Sequence, residues 1–343
     1  MKQNILSLRD SILKSKLVYL NQNFARTLPY LIEYQLLSRY SRLLGAEIRD
    51  ENKHNRLKKL MLKEIYQTLN DQADDYQSRG KTLDTLSLKE SLLHIKSFLT
   101  IMKDYPKSHA LRKNNITKTN TNNTYPDYFN RNFHFQVDGY TSEDSARKYD
   151  HQVEILFAGL AKPMRELILR PLNQSKDKAN DILEIACGTG AATEIMSEEM
   201  TRSHITATDL SEEYIHYAKT KRPLNNVAYQ VADGENLKFE SNQFDIVYHV
   251  FLCHELPSKV RLKVLEEQLR VVKPGGMCII VDSLQLADKP VIDEVLMDFP
   301  RYYHEPFYTN YIKSPLEKTL KEIGAKDIKI ELRFLSKLIT FTK

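Results

Sequence analysis

The chain has 343 residues, 41% hydrophobic and 28% charged, with a formal net charge of +5, an ordinary globular composition with room for two domains or one domain and a large extension. No N-terminal apolar stretch has the make-up of a signal peptide, and no run of about twenty apolar residues could span a bilayer. The three cysteines, Cys187, Cys253 and Cys278, are far apart and lack C-x-x-C spacing, which predicts small core residues of a reduced, cytoplasmic protein.

The charge is uneven. Residues 1–125 carry 22 Lys and Arg against 12 Asp and Glu, and the remainder carries 28 against 33. Such an excess suits RNA, anionic lipid or an acidic partner, or it simply solvates helix faces. Residues 1–104 read as an all-α extension. Tyr30–Leu44 places Leu31, Tyr34, Leu37, Tyr40 and Leu44 near one face. A second stripe runs through Leu57, Leu60, Ile65 and Leu69, and a third through Leu88, Leu92, Ile95, Leu99 and Met102, all at helical period. Residues 105–124 turn polar and Asn/Thr-rich, a predicted linker. An aromatic stretch, Tyr125 to Tyr140, leads to a helix that Ser142 is placed to cap. Residues 156–170 read as an amphipathic helix.

Next comes Asp181-Ile182-Leu183-Glu184-Ile185-Ala186-Cys187-Gly188-Thr189-Gly190-Ala191-Ala192. A short apolar run ending in a Gly-rich turn that opens a helix is a strand–turn–helix unit of a nucleotide-binding α/β sheet. Gly188 and Gly190 permit a sharp turn and remove the Cβ atoms that would keep a ligand from the helix N-terminus. About twenty residues on, a second strand ends in Asp209, placed to accept from ribose hydroxyls. A dinucleotide fingerprint would carry a third small residue; here that position is Thr193, and an acid, Glu184, precedes the glycines. Further elements follow in alternation: a helix capped by Ser211, strands at 227–232 and from 244, a helix over 258–272, a strand over 277–282, an aromatic insertion within 292–311, a helix closed by Gly324, and a terminal hairpin at 328–332 and 337–341.

The run E-I-A-C-G-T-G, with Asp209, Asp233-Gly234-Glu235, Phe244–Tyr248 and the Leu269–Gly276 turn in order, resembles class I S-adenosylmethionine (SAM)-dependent methyltransferases. Within that class the domain is most similar to ubiquinone/menaquinone-type C-methyltransferases. The 125–150 segment resembles a bacterial group with a helical N-terminal extension and an N-F-H-[FY]-Q-x-D-G-[YW] phrase. The resemblance implies an α/β fold with a Rossmann-like seven-stranded sheet ending in an antiparallel hairpin. It also implies three regions: extension 1–104, linker 105–124 and methyltransferase domain 125–343.

It implies, too, a cofactor site in which Ala186, Gly188, Thr189 and Gly190 approach the methionine part of SAM and Glu184 holds its ammonium or orients the loop. Asp209 would take the ribose, Leu210, Asp233 and Gly234 the adenine, while Tyr149, with Tyr140 second, covers the amino-acid end. His254, His249 and Glu255, on the strand-four loop, are the candidate general bases, and His249 is also a candidate cofactor contact. No metal-ligand pattern accompanies the loop, so a metal-free reaction on a small, apolar or aromatic acceptor is expected. RNA- or protein-directed methylation, or a SAM-binding non-catalytic partner, are the alternatives. The aromatics at 299–308 and 125–149 are expected to form the acceptor pocket, with His134, Tyr149, Tyr302 and His304 as its polar contacts.

Overall fold

The computed structural model describes residues 26–43, 51–79, 88–113, 125–131, 138–174, 179–303 and 305–343. The predicted linker residues 114–124, together with Leu44, His134 and His304, lie outside the described residues, as do the side chains of Leu57, Leu88 and Tyr302. The chain divides into two compact units, 1–106 with 151–163, and 107–150 with 164–343.

The first unit is helical. Helices α1 (26–43), α2 (Glu51–Ser78) and α3 (Leu88–Lys113) are joined by the end of α4 (Glu143–Leu156), which contributes residues to both units. Helix α3 continues through Pro106 to Lys113, past the 104/105 boundary expected for the linker. Its apolar stripe also differs from expectation. Leu92, Ile95 and Leu99 are exposed, whereas Ile101, Tyr105 and Ser108 are buried and His94 half-buried. The buried face therefore mixes polar and apolar residues, and a search for the most apolar stripe selects the opposite side of the helix.

The second unit is built on seven strands in the order β3-β2-β1-β4-β5-β7-β6. These are β1 (Asp181–Ile185), β2 (His204–Asp209), β3 (Val227–Val231), β4 (Phe244–Val250), β5 (Val272–Ser283), β6 (Lys326–Arg333) and β7 (Ser336–Thr342). The first five pair in parallel, and β7 runs antiparallel to both β5 and β6. Ile182, Leu183, Ile246, Ile279 and Ile280 are buried, as expected of parallel strands covered on both faces, and each such side chain contributes about 1.5–3 kcal/mol. The chain steps outward from β1 through β2 to β3, then returns to β4 on the other side of β1. That reversal opens a crevice at the C-terminal ends of β1 and β4.

Helices α6 (Ala191–Glu199), α7 (Glu212–Lys221) and α8 (Ser258–Val271) connect the parallel strands. Ser211 caps α7, accepting from the Tyr214 amide at 3.1 Å, and Ser142 caps α4, accepting from the Ser145 amide at 3.1 Å, both as the sequence predicts. The helix expected over 156–170 is instead broken. α4 ends at Leu156, α5 spans Ala161–Arg165, and 3₁₀ turns occupy Glu166–Gln174. Between the first two, Ala158 and Gly159 take φ of 53° and 81°, a left-handed turn that ends an α-helix. The Lys273–Gly276 turn is absorbed into a long β5, where a register shift against β4 accommodates it. The aromatic insertion folds as α9 (Asp293–Tyr303) and α10 (Tyr308–Ile312), followed by α11 (Leu316–Glu322).

Candidate cofactor site

The loop leaving β1 is left-handed at three places: Ala186 (φ 58°), Gly188 (φ 54°) and Gly190 (φ 80°). A Cβ built at Gly188 meets nothing within 4 Å, whereas at Gly190 it would lie 2.9 Å from the Tyr229 hydroxyl. Gly188 thus opens the crevice to a ligand, and Gly190 lets Tyr229 close beneath the loop. Asp209 holds both sides of the crevice, its Oδ2 accepting from the Gly188 amide and its Oδ1 from the Ser211 amide, each at 2.8 Å. Burial lifts its pKa to about 6 despite those hydrogen bonds. Each carboxylate oxygen retains a lone pair for a further donor, so this acid still suits a diol.

Glu184 faces the sheet interior. Its Oε2 accepts from the Thr193 hydroxyl at 2.5 Å and from the Tyr248 hydroxyl at 2.8 Å, and burial raises its pKa to about 7. Thr193 occupies the position of a dinucleotide fingerprint's third small residue, and its partner is the acid that such a fingerprint lacks. The two departures from that pattern form one hydrogen bond. At the third strand end, Asp233 Oδ1 accepts from the Glu235 amide at 2.9 Å, and Gly234 packs so closely that an added Cβ would sit 3.1 Å from Ile185. Leu210 is half-buried beside Asp209.

The sequence did not signal the clamp on Thr189. Its hydroxyl donates to Asp150 Oδ1 at 2.8 Å, and its carbonyl accepts from Arg222 at 2.8 Å. Arg222 also donates to Asp150 Oδ2 at 2.9 Å and to Glu194 at 3.0 Å. Burial would raise the Asp150 pKa, but Arg222 and Arg165 hold it below the usual carboxylate value. Asp150 directly follows Tyr149, the only hint its position offers; Arg222, at the end of α7, offers none.

The aromatic segment lies against the same strand ends. Tyr140, Tyr149 and Tyr214 pack edge to face with centroids 5.6–5.9 Å apart, and Phe129 and Phe307 join them. Phe307 thus brings the insertion against the 125–149 segment, and Arg131 lies 5.6 Å over its ring. Tyr128, which sequence reasoning passed over, has its pKa raised by burial and by the carboxylates of Glu235, Asp233 and Asp209.

The three candidate bases have different surroundings. His249 is fully buried, its Nε2 3.9 Å from Cys253 Sγ, and burial lowers its pKa to about 4. It is a neutral imidazole without exposed surface, which lends no support to the role expected for it. His254 Nδ1 lies 2.6 Å from Asp282 Oδ1. Burial alone would depress its pKa, but the Asp282 charge and hydrogen bond lift it to about 9. The pair favours the imidazolium and leaves Nε2 on the side of Glu255. Glu255 Oε1 accepts from the Tyr140 hydroxyl at 2.8 Å and lies 4.0 Å from His254 Nε2. A line of polar groups, with a 4.0 Å gap between His254 and Glu255, thus runs from Asp282 to the aromatic cluster.

Residues 182–276 match the family model described as a methyltransferase domain. Among curated relatives, the ubiquinone/menaquinone biosynthesis C-methyltransferase of Rhizobium rhizogenes is 29% identical over 156 residues, covering 44% of this chain and 59% of its own. The demethylmenaquinone methyltransferase of Staphylococcus epidermidis is 30% identical over 145 residues, covering 42% and 58%. The chain therefore spans under two thirds of these relatives' length. Human N-acetylserotonin methyltransferase in complex with SAM superposes with a TM-score of 0.51 at 14% identity, over 72% of this chain and 69% of that one, which shows a shared fold. Glycines, strand-end acid, strand order and family match agree: the chain carries a class I SAM-dependent methyltransferase domain.

Proposed function

We propose that the protein transfers the methyl group of SAM to a small, flat, largely apolar acceptor. The observation that carries the cofactor half is the open direction at Gly188 beside the buried Asp209 carboxylate. SAM, when bound, supplies a methyl group already activated on a sulfonium, so the protein chiefly positions two reactants and excludes water. In this reading the Gly188–Gly190 backbone approaches the methionine part of SAM, Asp209 holds the ribose, and Tyr149 and Tyr140 shield the amino-acid end. Where the acceptor must lose a proton, His254, oriented by Asp282, and Glu255 beside it are the candidate bases.

Two things support the acceptor class: the aromatic wall formed by Tyr140, Tyr149 and Phe307, and relatives named for quinone C-methylation. No helix among the described residues is long and apolar enough to cross a membrane, and the proposed setting is cytoplasmic. Calorimetry with SAM and with NAD is expected to show binding of SAM alone. Gly188→Val should abolish it and Asp209→Ala weaken it roughly tenfold or more. Tight NAD binding without SAM binding would refute the assignment. Tyr303→Ala and Phe307→Ala should impair transfer to a demethylmenaquinone-type acceptor while leaving SAM affinity nearly unchanged. Joint loss of SAM binding and stability would instead make these aromatics core residues.

A further inference from the structure

Three helices of the first unit bring Glu33, His94 and His151 together. Glu33 is buried, and its side chain and those of His94 and His151 are 8%, 15% and 10% exposed. His151 Nε2 lies 3.0 Å from Glu33 Oε2, and His94 Nε2 lies 2.7 Å from Glu33 Oε1 but outside hydrogen-bond geometry, a buried nitrogen without a directed partner. The three donor atoms lie within 4.8 Å of one another. Tyr30 covers the group, its ring 4.5 Å from the His94 ring and 5.4 Å from that of His151.

We propose that Glu33, His94 and His151 bind one divalent first-row transition-metal ion, zinc by its chemistry, that ties α1, α3 and α4 together. Two imidazoles and one carboxylate are a common borderline-soft donor set, and they leave a fourth tetrahedral position open to water. Bonds of about 2.0–2.2 Å place such donors roughly 3.3 Å apart, and the two His–carboxylate separations of 2.7 and 3.0 Å lie a few tenths of an ångström short of that. A buried carboxylate also requires a compensating cation, and the partners shown for Glu33 are these two histidines. Each His then turns a lone pair, not a proton, toward the centre.

His249, Cys253 and Asp282 form a second cluster with donors at metal-binding separation. There Asp282 is already engaged by His254 and by the Cys253 and Ser283 amides. The Asp282 oxygens are therefore already in use.

The test uses the full-length, tag-free protein freed of metal by chelation, titrated with Zn(II) by calorimetry and with Co(II) by visible absorption. One ion per chain is expected, with the intense ligand-field bands of tetrahedral Co(II) and no thiolate-to-cobalt charge transfer. His94→Gln and His151→Gln, checked for retained helicity by circular dichroism, should each weaken Zn(II) uptake by roughly a hundredfold. Should those variants fail to fold, the wild-type Co(II) spectrum decides. Absence of uptake by the wild-type chain would overturn the proposal. So would unchanged uptake in folded variants, or a thiolate band placing the ion at Cys253.

Discussion

Glu184 receives two hydroxyl donors, from Thr193 and Tyr248, on a single oxygen, in a site where burial lifts its pKa from 4.5 to about 7. Between those values the folded protein binds a proton that the unfolded chain releases. This group's stabilisation is therefore complete below the lower value and declines as pH rises through the upper one. Gln at this position keeps an acceptor and cannot ionise. Denaturant unfolding should accordingly show the wild type losing up to about 3 kcal/mol relative to Glu184→Gln between pH 4.5 and pH 8. Parallel pH profiles would mean that Glu184 stays ionised. His254 shows the opposite balance: beside Asp282 its ion pair outweighs burial and favours the charged form, whereas burial keeps His249, on β4, neutral. Residue type alone could not separate them, because what differs is the direct hydrogen bond that His254 has to Asp282 of β5, a carboxylate that acts on His249 only through its charge.

At the scale of elements, the β1–α6 loop is fastened from both sides. Asp209 reaches it from β2, and the Asp150–Arg222 pair reaches it from α4 and from the residue following α7. Arg222→Ala leaves Asp150 partly buried with one strong partner fewer. Since side-chain exposures of 17% and 26% for the pair allow some screening, a loss of about 2 kcal/mol is expected rather than the larger cost of a fully buried pair. SAM affinity should fall with it, and a double-mutant cycle with Asp150→Asn should show coupling of roughly 1 kcal/mol or more. Additive losses would mean that the two residues act separately. The elements themselves were largely legible. Apolar runs ending in glycine or an acid announce β1 and β2, and Ser142 and Ser211 announce α4 and α7, because those signals are local. What stayed hidden was non-local. Arg222 clamps a loop some thirty residues upstream with no motif of its own. α3 buries a face marked by His94 and Ser108 rather than its leucines. The helix expected over 156–170 breaks at Ala158 and Gly159, where one glycine among apolar residues resembles a tolerated interruption.

Over the whole molecule, a helical unit and a methyltransferase unit share one helix, α4, whose residues up to Asp150 belong with the sheet and from His151 onward with the helices. Adjacent residues of that helix thus serve two proposed sites: Asp150 steadies the cofactor loop, and His151 supplies a metal donor. No sequence pattern links Glu33, His94 and His151, since their spacing is set by the packing of three helices and not by a local repeat. Hydrogen exchange read by mass spectrometry can map both sites in the intact chain, because a ligand that binds only the native state raises the cost of opening the segments that hold it. SAM at a hundred times its Kd adds about 2.7 kcal/mol, or roughly hundredfold slower exchange through openings that release it. That protection is expected in peptides covering 184–193, 207–214 and 231–236. Zn(II) should protect peptides from 26–43, 88–113 and 143–156 instead, and the Gln variants of His94 and His151 should lose that protection while keeping the SAM pattern. SAM protection confined to β6 and β7, or zinc protection surviving in both variants, would move the corresponding site elsewhere in the fold.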